Sequence, residues 1–316
     1  NYVGAEGGHP WCLLDTAHRD MRQWWFAYDT GAQRDSANIE QLVIFAGRRY
    51  MEVGSQFAAA FVSSLEKAKF TFQVYPRQTE VYDRHVAPAL MEGKTAYLLV
   101  DSLRYEMALE LSRELRDEYD LSLLPAVATV PTVTEIGMAA LMPGAEHGVK
   151  IRPVGARKLA LEVGGVELRD RKDRITYLKE RMTGVYEGKF ESLLAPTKAA
   201  RIAMENAKLI FLTSDEIDDS CESANEWTAR RTTQSLLQEL PRVLRTLRTI
   251  GCATIIVTAD HGHLFLEQLT SGMKIDAPGG ETCNLHRRAW VGRGGVSSPD
   301  VCMRASLSSM GLDDGD

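Results

Sequence analysis

A short apolar run at residues 253–257 is followed directly by Ala259-Asp260-His261-Gly262-His263. A run of this length, rich in β-branched residues, predicts a strand that is buried on both faces, as in a parallel sheet. Asp260 and His261 then leave the same end of the strand, and both side chains bind divalent metals. Gly262 is expected to let the chain turn sharply after them. The segment therefore predicts a metal site at the rim of a sheet, the alternative being a plain surface turn.

Further apolar runs at residues 96–100, 122–130 and 208–212 alternate with segments of helical periodicity. Leu103, Met107, Leu111 and Leu115, for example, recur every four residues. This alternation predicts an α/β fold with a mostly parallel central sheet and helices on both faces. In such sheets the functional groups collect beyond the carboxyl ends of the strands.

The chain of 316 residues is expected to have two parts. Residues 1–90 are predicted as a helical N-terminal segment, with two helices that separate near Thr30-Gly31, and residues 91–316 as the α/β domain. Residues 145–200 interrupt the alternation and are predicted to form an insertion or lid. Its charged run at residues 169–174 is expected to be a solvated face.

Composition limits the class of protein. The net charge of −6 argues against a protein that coats nucleic acid by electrostatics alone. The five cysteines are scattered without a CxxC pair, which favours a reducing cytoplasm. The apolar runs are far shorter than the roughly 20 residues that span a bilayer, so we expect a cytoplasmic protein without a membrane partner. The first residue, Asn1, and the polar last residues suggest a piece of a longer chain.

Potential ligands follow each predicted strand. Asp101 ends the first, Thr132 and Thr134 follow Pro131 after the second, and acidic residues 215–219 follow the third. A helix starting near Thr134 would favour negative charge there through its dipole, which suits a phosphate. A hydroxyl becomes a strong nucleophile when a divalent ion lowers its pKa. Thr134 is therefore a candidate nucleophile, the alternative being a helix N-cap.

Five motifs in a fixed order give the chain a family resemblance. They are Val100-Asp101-Ser102-Leu103-Arg104-Tyr105-Glu106, Val130-Pro131-Thr132-Val133-Thr134, Gly137-Met138-Ala139-Ala140-Leu141-Met142-Pro143-Gly144, Ser214-Asp215-Glu216-Ile217-Asp218 and Thr258-Ala259-Asp260-His261-Gly262. Over residues 94–295 the chain resembles a PglZ domain of the alkaline phosphatase superfamily. The resemblance implies an alkaline phosphatase-like fold, and a place in the bacterial BREX phage-defence systems. Related domains act as phosphodiesterases on nucleotides or nucleic acid.

The resemblance also implies two divalent metal ions. It places Asp101, Thr134, Asp260 and His261 around the first, with Thr134 as nucleophile. The second ion usually takes an Asp with a His four positions later, and this sequence lacks that pair. Asp218 is the preferred second-site ligand and Asp215 the next, while His286 and His263 compete for the remaining imidazole position. Zn²⁺ is expected, with Mn²⁺ or Mg²⁺ as alternatives where oxygen ligands dominate.

Arginines are candidates for binding the phosphate, because a guanidinium matches its oxygens bidentately. Arg104, Arg287 and Arg288 are named for this role, the alternative for each being an ordinary surface residue. The leading hypothesis is a metal-dependent phosphodiesterase or nuclease of phage defence. Its expected partners are a nucleotide or nucleic-acid substrate and other defence proteins.

Two alternatives remain open. One is a phosphomonoesterase or phosphomutase of the same superfamily; a sulfatase is disfavoured, because sulfatases need Cys or Ser at the position of Thr134. The other is a noncatalytic scaffold of a defence complex, which the missing second-site Asp-x-x-x-His pair favours.

Overall fold

The structure is a computed structural model, and it describes residues 2–4, 9–29, 36–70, 74–154, 158–265, 275–286, 289–296, 304–308 and 312. The helices are α1 Cys12–Asp29, α2 Ser36–Lys67, α3 Ala87–Glu92, α4 Tyr105–Leu115, α5 Thr134–Ala140, α6 Arg171–Arg181, α7 Lys198–Asn206, α8 Glu216–Ser223 and α9 Glu226–Thr249. The strands are β1 Thr95–Val100, β2 Val149–Pro153, β3 Leu159–Val163, β4 Val166–Leu168, β5 Val185–Lys189, β6 Leu209–Ser214, β7 Thr254–Thr258, β8 Glu281–Leu285 and β9 Trp290–Arg293.

The central sheet has the strand order β5-β6-β1-β7, and all its neighbouring strands are parallel. Alternate residues of β1 enter two separate cores, because successive side chains of a strand point to opposite faces. Tyr97 and Leu99 pack with α5 and the small sheet of β2, β3 and β4, while Leu98 and Val100 pack with α4 and α9. The predicted parallel α/β sheet with apolar layers on both faces is confirmed.

The N-terminal helices form as predicted. Helix α1 packs against α2, α4 and α9, and Trp11 stacks on Phe57 of α2 with ring centroids 5.6 Å apart. The predicted break at Thr30-Gly31 falls between the two helices, in residues outside those described. None of the helices in the described ranges is both long enough and apolar enough to cross a bilayer.

The predicted strand at residues 122–130 is wrong. This segment is extended but joins no sheet, and a single bridge connects Val127 to Arg77. A strand in a parallel sheet is covered on both faces, whereas Leu124 is 59% exposed. Pro125 also lacks the N–H that a ladder requires.

The segment at residues 145–200 is built into the fold. It contributes the antiparallel sheet β2-β3-β4 and helix α6, and its strand β5 forms an edge of the central sheet. The charged run at residues 169–174 is not a uniformly solvated face, since Arg174 is only 7% exposed. Arg174, Tyr177 and Leu178 form the buried face of α6 with the i, i+3, i+4 spacing of a helix.

Candidate metal centre

Three potential ligands meet at the carboxyl ends of two neighbouring strands. Asp101 follows β1, and Asp260 and His261 follow β7, which pairs with β1 in parallel register. His261 Nε2 lies 3.3 Å from Asp260 Oδ2 and 3.7 Å from Asp101 Oδ1. One ligand atom from each residue lies within 4.8 Å of the others, and all three residues are buried. In the described ranges no other set of three such side chains meets this spacing.

One oxygen of each of the two carboxylates lacks the hydrogen-bond partner that a buried charge requires. Asp101 Oδ1 and Asp260 Oδ2 are buried without a hydrogen-bond partner. Burial, and then the negative charges of Asp260 and Asp218, raise the pKa of Asp101 to about 9. Burial also raises the pKa of Asp260. A buried charge without a partner is costly. Two neighbouring carboxylates that each have a partnerless oxygen therefore fit a bound cation.

Hydrogen bonds fix the tautomer of His261. Its Nδ1 lies 3.2 Å from the carbonyl oxygen of Gly262 and 3.1 Å from Ser102 Oγ. A carbonyl only accepts, so Nδ1 carries the proton. Ser102 Oγ–H donates to Asp218 Oδ1 at 2.6 Å, which leaves the hydroxyl oxygen to accept from His261. With the proton on Nδ1, the neutral ring directs the lone pair of Nε2 toward the two carboxylates, the form in which imidazole binds a metal.

The sharp turn at the site occurs at Ser102. Ser102 has φ = 60°, whereas Gly262 is not among the glycines with positive φ, so a turn at Gly262 uses no left-handed conformation. The conformation of Ser102 directs its backbone N–H to Asp260 Oδ1 at 3.2 Å, and the N–H of His261 donates to the same oxygen at 2.8 Å. Two backbone amides thus hold Asp260 while its other oxygen remains without a partner.

Thr134 is the first residue of α5, and its hydroxyl lies beside the ligand atoms. Its Oγ1 is 3.2 Å from His261 Nε2. The N-cap of α5 is Val133, and no side chain caps the helix, so the alternative of an N-cap threonine is wrong. Gly137 allows the close approach, because a Cβ there would lie 2.8 Å from both Cβ and the carbonyl oxygen of Asp260.

The acidic candidates after β6 have other partners. Asp218 accepts the Ser102 hydroxyl and contributes negative charge to the site, but it is not one of the three converging ligands. Asp215 forms an ion pair with Lys189. The structure therefore brings Asp218 next to the centre through Ser102, and it does not bring Asp215 there.

The predicted histidines and arginines also differ in whether they lie near the centre. His263 Nδ1 lies 3.0 Å from the carbonyl oxygen of Ser102, and its Nε2 is buried without a partner. His286 follows β8 and is not among the converging ligands. Arg104 forms an ion pair with Asp15 of α1 at 2.5 Å. Arg287 and Arg288 lie outside the described residues.

Two supporting residues were not identified from the sequence. Gln78, which is 2% exposed, donates from Nε2 to the carbonyl oxygens of Ala259 at 2.9 Å and Asp260 at 2.6 Å. Ser102 links His261 to Asp218. The position of Ser102 next to Asp101 could have suggested a role, whereas nothing in the local sequence distinguishes Gln78.

A cavity of about 570 Å³ adjoins the centre. It lies between α2, the extended segment at residues 123–128 and residues 257–264. Tyr2, Phe57 and Tyr105 contribute aromatic rings to its wall, with the ring of Tyr2 5.8 Å from that of Phe57. Its volume lies in the range of pockets that bind small organic molecules.

Comparison with known proteins gives two findings. Residues 81–314 match the family described as "BREX system PglZ alkaline phosphatase-like domain". The chain is also 25% identical over 248 residues to the "Alkaline phosphatase-like protein BrxZ" of Escherichia coli O9:H4 (strain HS). That alignment covers 74% of this chain and 27% of BrxZ, so the chain spans about a quarter of the length of this relative.

Proposed function

The chain belongs to the PglZ family of alkaline phosphatase-like BREX domains, and from this premise we propose that it is a metal-dependent phosphodiesterase with Thr134 as nucleophile. One observation carries the proposal. The partnerless buried oxygens of Asp101 and Asp260 converge with Nε2 of His261, directly beside the hydroxyl of Thr134.

The proposed ligands of the metal ion are Asp101, Asp260 and His261. Two oxygens and one imidazole nitrogen suit Zn²⁺ first, with Mn²⁺ and Mg²⁺ as alternatives. An ion bound there would supply Lewis acidity toward the phosphoryl group and lower the pKa of a nearby hydroxyl. A second ion remains a prediction, with Asp218 as its preferred ligand and Asp215, His263 and His286 as further candidates.

The chain itself positions the nucleophile. Helix α5 starts at Thr134, and Gly137 brings this helix against Asp260, so Oγ1 is held beside the ligands rather than at a helix cap. In the proposed reaction a bond forms from Oγ1 to phosphorus as the bond to the leaving oxygen breaks, and the hydroxyl proton of Thr134 passes to that leaving oxygen. Water then attacks phosphorus and breaks its bond to Oγ1, which restores the Thr134 hydroxyl and releases a phosphate monoester.

The adjoining cavity supports an ester with an organic leaving group. Its aromatic wall could stack against a planar group, and its volume suits a nucleotide-sized fragment. We propose a nucleotide or nucleic-acid phosphodiester as substrate and phage defence as the biological setting. Other BREX components are the proposed protein partners, in keeping with the family that the chain matches.

The test is the metal-dependent hydrolysis of bis-p-nitrophenyl phosphate. We expect Thr134→Ala to lower turnover by at least about a thousandfold, because the nucleophile is removed. Thr134→Ser keeps a hydroxyl and should retain much of the activity. Metal content should be the same in all three proteins.

Three results would contradict the proposal. Equal turnover by wild type and Thr134→Ala would exclude this nucleophile, and metal-loaded wild type without turnover of any ester would favour the scaffold. Preference for p-nitrophenyl phosphate over the diester would favour the phosphomonoesterase.

A further inference from the structure

Helix α6 is anchored at the carboxyl ends of the central strands. Arg171 donates from Nε to Thr213 Oγ1 at 2.9 Å, and from Nη2 to Glu187 Oε2 at 2.7 Å and the carbonyl oxygen of Gly188 at 3.2 Å. Thr213 of β6 pairs with Leu99 of β1, two residues before Asp101. The first turn of α6 therefore lies beside the strand end that carries the metal centre.

Arg174 lies one turn further along the buried face of this helix. It is 7% exposed, and among the residues that the structure describes its guanidinium has no hydrogen bond and no ion pair. Other buried arginines of the chain are paired; Arg19, for example, binds Glu106 and Arg104 binds Asp15. Arginine stays protonated at working pH, so Arg174 is a buried positive charge without a direct partner.

Two carboxylates of the candidate metal centre are among the charges that act on Arg174. Burial lowers the pKa of Arg174, while the carboxylates of Asp260, Asp170 and Asp101 oppose that change. Asp170 is the exposed N-cap of α6, and its Oδ1 already accepts the backbone N–H of Asp173. Asp260 and Asp101, by contrast, are the two buried carboxylates of the centre.

Charge balance indicates which kind of ligand Arg174 would bind. The ionised carboxylates of Asp101 and Asp260 would be balanced by one divalent ion. The positive charge of Arg174 then has no direct ion-pair partner among the described residues, and burying a charge without a direct partner is costly. An anion beside the metal ion would pair with this charge, and a guanidinium donates two parallel hydrogen bonds to a phosphoryl group.

We infer that Arg174 binds the non-bridging oxygens of the phosphoryl group at this centre, in place of Arg104. The inference rests on the proposed function for the position of that group. It makes the segment at residues 145–200 the source of a substrate-binding residue. Inorganic phosphate and phosphodiesters both carry non-bridging phosphoryl oxygens, so inorganic phosphate can serve as the probe.

The test is calorimetric titration of inorganic phosphate into the metal-loaded protein. Arg174→Met removes the charge at similar volume, and exposed Arg116 at the end of α4 offers Arg116→Met as a matched control. We expect Arg174→Met to weaken phosphate binding about 10- to 100-fold, the loss of a charge-assisted hydrogen-bonded pair. Arg174→Lys should recover part of the affinity, and Arg116→Met should bind as wild type does.

A second measurement excludes a merely structural role. Metal-free Arg174→Met should melt at the same temperature as wild type or higher, because an unpaired buried charge has been removed. Phosphate affinity unchanged within twofold would overturn the inference, as would a wild type that binds no phosphate in either metal state. Metal content and turnover of the wild type are measured separately, so failure of the proposed function is distinguished from failure at Arg174.

Discussion

At the scale of single residues, the site depends on one backbone conformation. Ser102 adopts φ = 60°, and this directs its amide to Asp260 while its hydroxyl links His261 to Asp218. A residue with a Cβ in this region carries about 1 kcal/mol of strain. The hydrogen bonds of Ser102 to Asp260 and His261 offset this strain.

Two substitutions at Ser102 separate strain from hydrogen bonding. Ser102→Ala and Ser102→Gly both remove the hydroxyl, but only glycine relieves the strain. We expect the glycine variant to be more stable than the alanine variant by about 1 kcal/mol, as measured by urea denaturation. Equal stability would show that the backbone at residue 102 is not left-handed in solution.

At the scale of elements, α5 must touch the turn after β7. A methyl group at Gly137 would lie 2.8 Å from Asp260 atoms, so the helix or the turn must move to accept it. A methyl group at Gly54, in the middle of α2, would meet no atom within 4 Å, so this residue serves as a matched helical control.

We expect Gly137→Ala to lower the free energy of unfolding by about 1–3 kcal/mol through overpacking and to weaken metal binding. Gly54→Ala should instead raise stability by about 0.5–1 kcal/mol, because alanine is the better helix former. Thermal denaturation and metal titration measure both effects. A stable Gly137→Ala protein with unchanged metal affinity would contradict the packing of α5 on Asp260.

The sequence predicted some elements and not others, for physical reasons. Buried strands are marked by apolar runs, and their ends correctly indicated where Asp101 and Asp260 lie. The run at residues 122–130 has a similar composition, but Pro125 and the exposure of Leu124 exclude it from the sheet. Whether Arg174 is buried or exposed depends on which face of α6 packs against the rest of the protein. A local charge pattern does not encode this.

At the scale of the whole molecule, the N-terminal helices contact the chain just after Asp101. Asp15 of α1 pairs with Arg104, and Arg19 of the same helix donates to Glu106 at 3.2 and 3.1 Å. Both partners lie within five residues of Asp101. The two parts of the chain therefore share a buried ionic network, and Arg104 has a structural partner in place of the phosphate that the sequence suggested.

The raised pKa of Asp101 predicts how the stability of the metal-free protein depends on pH. Its pKa is about 9 in the folded protein and near 4 in an unfolded chain. Between these values the folded state binds more protons, so the free energy of unfolding falls as pH rises, by up to about 1.4 kcal/mol per pH unit. Asp101→Asn should flatten this dependence in urea titrations at several pH values. A wild-type stability that rises over the same range would contradict the unpaired state of this carboxylate.

The central claim is that Asp101, Asp260 and His261 bind one divalent ion. Anomalous diffraction from crystals soaked in Zn²⁺, recorded on both sides of the zinc absorption edge, tests it most directly. We predict a zinc peak about 2.0–2.2 Å from a carboxylate oxygen of Asp101, one of Asp260 and Nε2 of His261. The peak should be absent from Asp260→Asn crystals soaked in the same way. Zinc peaks only elsewhere, with this position empty in the wild type, would contradict the account.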